Sequence, residues 1–207
     1  MLRLYLLGGE DISIRNSKEV DSQAFADAGG APRVVVFPWA SKEKMREDVQ
    51  RRTMVDYFKD LGARGVRFIE PSLPHREMAM LVEQSDLVYL PWGDPKVLVE
   101  RMHTTGAAQL LSSYDKVIMG NSAGALALCS EYVLMSEESD APTVSSGLGL
   151  ADIGLVVHYE SNMDAQLERL STSRSIFAIP EGGALVISCC SISLIGHVAV
   201  FQGGNKV

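Results

Sequence analysis

The sequence contains one long segment without a single charged side chain, between Gly182 and Asn205. An uncharged stretch of this length raises the question of a membrane span, which needs roughly 20 mostly apolar residues. Serines, glycines and His197 interrupt the stretch, and its apolar parts, at 185–187 and 198–201, are short and rich in β-branched residues. Such runs are typical of buried strands. We therefore predict strands here, with His197 in the core, and no membrane span.

Cysteine and basic charge are also scarce. The three cysteines, Cys129, Cys189 and Cys190, are odd in number and lack metal-ligand spacing, so we expect reduced thiols and no metal site. The formal net charge is −7 and the lysines and arginines are scattered, which argues against nucleic acid as a partner. The apolar run at 1–7 ends at a glycine pair and is too short for a signal peptide. We expect a cytoplasmic protein without a cofactor or a membrane partner.

Apolar residues, in contrast, are plentiful and follow an alternation of strands and helices. With 207 residues, of which 46% are hydrophobic, the chain can bury a full core in a single domain, expected over residues 1–207. The expected strands are 2–7, 33–39, 65–69, 86–91 and 116–120, and the expected helices are 19–28, 41–61, 74–84 and 94–111. This alternation predicts the α/β class, with a doubly wound, mostly parallel sheet and helices on both faces. In such folds, ligands bind at the carboxyl ends of the strands.

The last third of the chain has a different pattern. A helix at 123–130 and a strand at 155–159 are followed by a short helix near 163–170. Three more strands are expected at 175–179, 184–190 and 194–201. Because the last two strands are separated by only a short turn, we predict a C-terminal β-hairpin at one edge of the sheet.

A glycine and serine motif follows the strand at 116–120. Residues 120–124 read Gly-Asn-Ser-Ala-Gly, the pattern of a nucleophile elbow, in which a serine lies on a sharp turn between a strand and a helix. Glycines are needed there because neighbouring backbone passes close to the turn on both sides. The helix that follows directs free backbone N–H groups toward the serine, where negative charge would develop. The motif predicts Ser122 as a nucleophile.

A serine nucleophile needs a base, and the chain offers four histidines. His75 and His103 lie on predicted helices, where a solvated surface position accounts for them, and His197 is assigned to the core strands. His158 ends the strand at 155–157, where a doubly wound sheet presents its site. We therefore predict His158 as the general base.

The base in turn needs a group that orients it. Glu181 follows a short apolar strand at 176–179 and precedes a glycine pair, so it is the preferred carboxylate, although a solvated turn glutamate would have the same pattern. Asp152, Asp164 and Glu160 are weaker alternatives.

These motifs, in the order Ser, His, Glu, resemble the peptidase E and cyanophycinase family of serine peptidases. The resemblance covers nearly the whole chain and rests on Gly-Asn-Ser-Ala-Gly-Ala, on the histidine that ends a strand, and on Pro-Glu-Gly-Gly. It implies a fold like that of class I glutamine amidotransferases, although serine replaces cysteine at the elbow. It also implies that Ser122 is the nucleophile, His158 the base and Glu181 the orienting acid. The backbone N–H groups of Gly93 and Ala123 would then form the oxyanion hole.

The same resemblance bears on the substrate. Peptidase E-like members cleave dipeptides with an N-terminal aspartate and hold its carboxylate with a basic residue that follows the histidine. Here the segment 159–170 is acidic and its one basic residue is Arg169. Asn121, Asp94 and Arg169 are the candidate substrate-binding residues, and Trp92 makes one wall of the pocket bulkier than in the family. We expect a small peptide as substrate, with Asp-X dipeptides as one candidate.

Two alternatives remain open at this point. An esterase or amidase could use the same three residues on a different class of substrate. A non-catalytic relative could bind a metabolite or a partner protein instead, and would have His158 more than about 4 Å from Ser122. The family resemblance is also compatible with a homodimer.

Overall fold

The computed structural model describes residues 1–41, 47–135, 142–189 and 191–207. The strands in this part of the chain are Arg3–Leu7 (β1), Arg33–Val36 (β2), Gly65–Phe68 (β3), Leu87–Leu90 (β4), Val117–Asn121 (β5), Cys129–Leu134 (β6), Thr143–Ser146 (β7), Ala151–Val157 (β8), Ile176–Ile179 (β9), Ala184–Ser188 (β10), Ser191–Ile195 (β11), Ala199–Gln202 (β12) and Asn205–Lys206 (β13). The helices are Lys18–Asp27 (α1), Glu47–Asp60 (α2), His75–Gln84 (α3), Pro95–Thr104 (α4), Ala107–Ser112 (α5), Ala123–Leu128 (α6) and Asp164–Leu170 (α7), with a 3-10 turn at Ser161–Met163.

A seven-stranded sheet forms the larger part of the fold, in the order β11-β10-β1-β5-β4-β2-β3. Within this order, the neighbouring strands β1, β5, β4, β2 and β3 are parallel to one another. The hairpin of β10 and β11 adds an antiparallel edge beside β1. Helices α1 and α2 cover one face, and α3, α4, α5 and α6 cover the other. Along β1, Leu4 and Leu6 pack toward one helical layer and Tyr5 and Leu7 toward the other. The predicted doubly wound α/β sheet is confirmed.

A second sheet of six strands has the order β13-β12-β9-β8-β6-β7. Its middle strands β6, β8 and β9 are parallel, while β7 and β12 pair antiparallel on the two sides. Helix α7 covers it through Leu167, which lies in a small core with Val156 and Phe201. Burial of one such large apolar side chain contributes roughly 1.5–3 kcal/mol, so this layer has a core of its own.

The division into two sheets differs from the sequence-based expectation in the uncharged segment. The expected strand at 194–201 is two strands, and they belong to different sheets, because the chain turns at Gly196 with φ +75°. His197 therefore lies exposed between β11 and β12, and the prediction of a core position was wrong. The segment forms strands as predicted, and they make two hairpins, β10 with β11 at the edge of the larger sheet and β12 with β13 at the C-terminal end.

Helix boundaries also differ in one place. The expected helix at 94–111 is divided into α4 and α5 by Gly106, whose φ of +78° interrupts the helical backbone. Residues 42–46 of the expected helix at 41–61 lie outside the described residues, as does Cys190. In the part of the chain that is described, no helix is both long enough and apolar enough to cross a membrane.

Candidate active site

Ser122 lies at the turn between β5 and α6, with φ 50° and ψ −107°. A non-glycine residue with this backbone stores on the order of 1–3 kcal/mol of strain. The turn is closed by glycines on both sides, because a Cβ on Gly120 would lie 2.5 Å from the carbonyl carbon of Gly124. A Cβ on Gly124 would lie 2.0 Å from the carbonyl oxygen of Leu90. Tight packing against β4 thus holds the serine at the carboxyl end of the sheet.

His158 and Glu181 approach Ser122 from the six-stranded sheet. His158 follows β8 and also has a positive φ, of 52°, while Glu181 follows β9. The distance from Ser122 Oγ to His158 Nε2 is 2.8 Å, and that from His158 Nδ1 to Glu181 Oε1 is 3.2 Å. Both distances are within hydrogen-bond range, although the side chains of His158 and Glu181 are 48% and 70% exposed. The three residues selected from the sequence are therefore neighbours in space.

One short segment connects these three residues. Residues 7–10, which we call the linking segment, begin at the last residue of β1 and pass between the two sheets. Leu7 accepts a hydrogen bond from the Ser122 amide at 3.1 Å, and Gly8 accepts one from the His158 amide at 2.8 Å. Gly9 accepts a hydrogen bond from the Gly182 amide, next to Glu181, at 3.0 Å. Successive carbonyls of this segment thus bind backbone at or beside all three candidate residues.

Gly9 also makes room for the imidazole. A Cβ at this position would lie 2.6 Å from His158 Cε1 and 3.1 Å from Glu181 Cγ, so no larger residue fits without moving these side chains. The sequence pattern does not predict this role, because there Gly8 and Gly9 only mark the end of the first strand. The available signal is that the pair follows an apolar strand at its carboxyl end, where α/β folds bind ligands.

The residues assigned to the oxyanion hole follow adjacent strands. Gly93 lies beyond β4 with φ +139°, and a Cβ there would lie 2.6 Å from the carbonyl oxygen of Ala40. Ala123 is the first residue of α6, and the first N–H groups of a helix have no partner within it. Gly93 and Ser122 line the same cavity.

That cavity has a volume of about 650 Å³ and an acidic and apolar wall. Its lining includes Ser122 and His158, the apolar residues Ile12, Val49, Met54 and Trp92, and the acidic residues Glu10 and Asp11. Trp92 thus stands in the wall, as expected. A neighbouring cavity of about 370 Å³ shares Trp92 and Gly93 with the first. Among the described residues that line the larger cavity, none is a lysine or an arginine.

The three candidate substrate-binding residues have other contacts in the structure. Asn121 is buried, its Oδ1 accepts from the Glu10 amide at 2.8 Å, and its Nδ2 donates to the Glu10 carbonyl at 3.2 Å. Asp94 caps α4 by accepting from the amides of Lys96 and Val97. Arg169 is exposed on α7 and is not part of the lining of either cavity.

The alternative carboxylates are engaged elsewhere or point away from the site. Asp164 accepts hydrogen bonds from Tyr159 and Lys206, and these contacts hold its pKa below the ordinary value. Glu160 accepts a hydrogen bond from the side-chain Nδ2 of Asn162, and Asp152 is exposed on β8. Glu181 is the carboxylate that the structure brings to His158.

The fold and the site together are those of the α/β proteins in which a serine on a nucleophile elbow faces a histidine, an arrangement typical of serine hydrolases. The sequence model of peptidase family S51 matches residues 4–195. The chain belongs to this family, the peptidase E family, and membership supports serine peptidase activity in general terms.

Solved structures agree with this assignment at the level of the fold. A peptidase from an acI-B1 Actinobacterium has 20% sequence identity and a TM-score of 0.76, with 99% of this chain and 92% of that chain covered. A protein from Listeria monocytogenes EGD-e, assigned to the peptidase E proteins, has 18% identity and a TM-score of 0.71, with 94% and 98% covered. A search of curated protein sequences finds no match.

Proposed function

We propose that the protein is a serine peptidase that cleaves a small peptide through an acyl-enzyme on Ser122. In this proposal His158 is the general base and Glu181 orients it. The observation that supports it most is the 2.8 Å distance from Ser122 Oγ to His158 Nε2, because a base must reach the proton that it removes. The contact of His158 Nδ1 with Glu181 then favours the tautomer in which Nε2 carries the lone pair.

The reaction would proceed in two halves. Ser122 Oγ attacks the carbonyl carbon of the peptide bond while its proton passes to His158 Nε2, and a tetrahedral oxyanion forms. When the carbon–nitrogen bond breaks, the leaving amine takes that proton from His158. A water molecule then gives a proton to His158 and attacks the acyl carbonyl. Collapse of the second intermediate releases the acid and returns the proton to Ser122 Oγ.

The oxyanion would accept hydrogen bonds from the amides of Gly93 and Ala123. Each such donor contributes roughly 3–4 kcal/mol to the lowering of the barrier. The close packing of Gly93 against Ala40 supports this assignment, because it holds that amide in one position beside the elbow. Ala123 follows the serine directly, as the second donor of a nucleophile elbow does.

The proposed substrate is a small peptide, and the lining of the cavity indicates which side chains it would carry. A cavity of about 650 Å³ is within the usual range for a site that binds a small molecule. The exposed carboxylate of Asp11 in its wall would repel an aspartyl side chain and attract an amino group. We therefore expect dipeptides with neutral or basic residues to be cleaved faster than Asp-X dipeptides.

The proposal is tested with a panel of Asp-X, isoaspartyl, neutral and basic dipeptides, together with acyl esters. Wild type should hydrolyse at least one peptide and react with a fluorophosphonate probe, whereas Ser122→Ala should do neither. Ser113→Ala removes an exposed hydroxyl at the C-terminal end of α5 and is the matched control. Hydrolysis of esters alone would replace the peptidase by an esterase. A wild type that neither hydrolyses nor reacts would show a non-catalytic relative.

A further inference from the structure

A pair of buried acids, one at the end of the linking segment and one on α1, has no part in the proposed reaction. Glu10, the last residue of that segment, is 9% exposed, and Asp21 on α1 is fully buried. Tyr89 donates a hydrogen bond to Glu10 Oε2 at 2.9 Å, and Tyr57 donates one to Asp21 Oδ2. In the described part of the chain, no ion pair involves either acid.

The second oxygen of each carboxyl group indicates how the two buried acids interact. Glu10 Oε1 and Asp21 Oδ1 are buried without a hydrogen-bond partner, and each of the two carboxyl groups influences the pKa of the other. Two ionised carboxylates cannot bind each other, because neither has a proton to donate. A single proton between Oε1 and Oδ1 satisfies both atoms and removes one of two adjacent buried charges.

The surrounding groups favour retention of that proton. Burial, followed by the charge of Asp21, raises the pKa of Glu10 well above its ordinary value. Burial also raises the pKa of Asp21, to about 6. Asp11 next to Glu10 adds negative charge, and the guanidinium of Arg15 lies over the ring of Tyr57 and pairs with Asp60 rather than with either buried acid. These effects favour the form of the pair in which Glu10 holds the proton and Asp21 accepts it together with the hydroxyl proton of Tyr57.

The backbone of Glu10 connects this acid pair to the nucleophile. Its N–H and C=O bind both ends of the side-chain amide of Asn121, the residue before Ser122. Leu7, Gly8 and Gly9, just before it, hold the backbone at or beside Ser122, His158 and Glu181. The side chain of Glu10 is thus the point at which the linking segment is fastened to α1 and β4.

We propose that Glu10 is a positioning residue, whose carboxyl shares one proton with Asp21 and thereby fastens the linking segment so that Ser122 and His158 stay within hydrogen-bonding distance. This inference rests on the proposed function for its catalytic consequence. Loss of the shared proton at high pH leaves two adjacent buried charges. Their repulsion displaces the linking segment and with it the alignment of Ser122 and His158.

The test compares Glu10→Gln, Glu10→Leu and the surface control Glu19→Gln on α1, each assayed for kcat and KM from pH 5 to pH 10. Glutamine has the size of glutamic acid and can donate to Asp21 and accept from Tyr89, but it has no proton to lose. Leucine makes neither bond. We expect Glu10→Leu to lower kcat by about 10²-fold with less change in KM, as displacement of reacting groups by about 1 Å does. Glu10→Gln should restore kcat to within about 5-fold of wild type at pH 7, as expected if the uncharged amide replaces the shared proton.

The pH profile separates positioning from a general structural role. Wild type and Glu19→Gln should lose kcat on the alkaline side, whereas Glu10→Gln should not. If Glu10→Gln showed the same alkaline loss as wild type, or if Glu10→Leu kept the wild-type kcat, the inference would be wrong even with Ser122 established as the nucleophile. If Glu10→Leu does not fold, the alkaline pH profile of Glu10→Gln still decides the test.

A second measurement needs no activity, so it stands even if the proposed function fails. The folded protein holds a proton that the unfolded chain releases above the ordinary carboxyl pKa. The stability from this pair is therefore complete below about pH 4 and declines as pH rises from there through the raised pKa values. Thermal unfolding should show this decline for wild type and Glu19→Gln, and a flatter profile for Glu10→Gln. Equal slopes for all three proteins would overturn the shared proton.

Discussion

The two sheets contribute to the site in different ways. The seven-stranded sheet supplies Ser122 from the end of β5, a strand whose five residues are all buried, and holds it in a strained turn between glycines. The six-stranded sheet supplies His158 and Glu181, whose side chains are 48% and 70% exposed. The nucleophile is thus built into the densest part of the fold, while the base and its partner lie at a solvated edge. Such a site depends on whatever holds the two sheets in register.

The two sheets share an apolar core, and at the site itself the linking segment connects them. It belongs by sequence to the seven-stranded sheet, since it continues β1, but its carbonyls at Gly8 and Gly9 bind the His158 and Gly182 amides of the other side. An error of about 1 Å in the placement of reacting groups can cost on the order of 10²-fold in rate. We therefore expect the loss of kcat/KM to depend on whether a variant removes a reacting side chain, removes the orienting acid or disturbs the linking segment. A variant that only relieves backbone strain should change the stability instead.

The largest effect is expected when either reacting side chain is removed. Ser122→Ala and His158→Ala should each lower kcat/KM by about 10⁴-fold or more, and the double variant should lose little beyond either one, because catalytic groups that act as a unit are not additive. Steady-state kinetics on a single peptide measures all three variants. Losses that multiply would mean that the two sheets act independently.

Removal of the orienting acid should cost less. Glu181→Ala is expected to lower kcat/KM by about 10³-fold, less than the roughly 10⁴-fold seen for a buried orienting aspartate, because water partly replaces an exposed carboxylate. The neighbouring exposed acid gives the control variant Glu160→Ala, which should retain activity. Equal losses for the two variants, measured on the same substrate, would remove Glu181 from its assigned role.

The link itself is tested at Gly9. The added methyl group of Gly9→Ala would lie 2.6 Å from His158 Cε1 and should push the imidazole away from Ser122. We expect a loss of about 10²-fold in kcat/KM, with a folded protein by circular dichroism. Gly65→Ala in β3 meets no atom within 4 Å and serves as the control. Full activity of Gly9→Ala would show that the two sheets need no such close contact.

The smallest effect concerns strain on the nucleophile side. Ser122→Ala and Ser122→Gly both lack the hydroxyl, but only glycine adopts φ 50° and ψ −107° at little steric cost. Relief of strain gains roughly 1–3 kcal/mol, and the greater freedom of unfolded glycine takes back about 1 kcal/mol. Urea denaturation should therefore find Ser122→Gly more stable than Ser122→Ala by about 1 kcal/mol. The reverse order would show that the turn is unstrained.

The sequence patterns were most informative where the chemistry is local. Gly120, Ser122 and Gly124 predict the elbow because a tight strand-to-helix turn needs small residues at fixed spacing, and the structure has that turn. His158 and Glu181 could be selected because each follows an apolar strand. The parallel strands and both helical layers of the larger sheet follow from the alternation of apolar runs, as the packing of β1 illustrates.

The errors and omissions involve contacts between distant parts of the chain. The division of the expected strand at Gly196 depends on which sheet each half joins, and His197 became exposed as a result. The pairing of Glu10 with Asp21 joins a strand end to a helix, and its meaning depends on burial that no local pattern encodes. The contact of Asn121 is a further example that no local pattern predicts, since its side chain binds the backbone of Glu10, 111 positions away in the sequence.

The uncharged segment from Gly182 to Asn205 shows the same difference between what the sequence and what the tertiary structure determine. Its composition by itself determined that the chain would form strands there, because short β-branched runs broken by glycine and serine favour extended backbone over a helix that crosses a membrane. Only the tertiary structure decided that those strands are shared between two sheets, and that Glu181, just before them, meets a histidine whose serine lies on the other sheet. Backbone preference is a property of neighbours in sequence, whereas the placement of a proton between side chains depends on distances that only the packed chain defines.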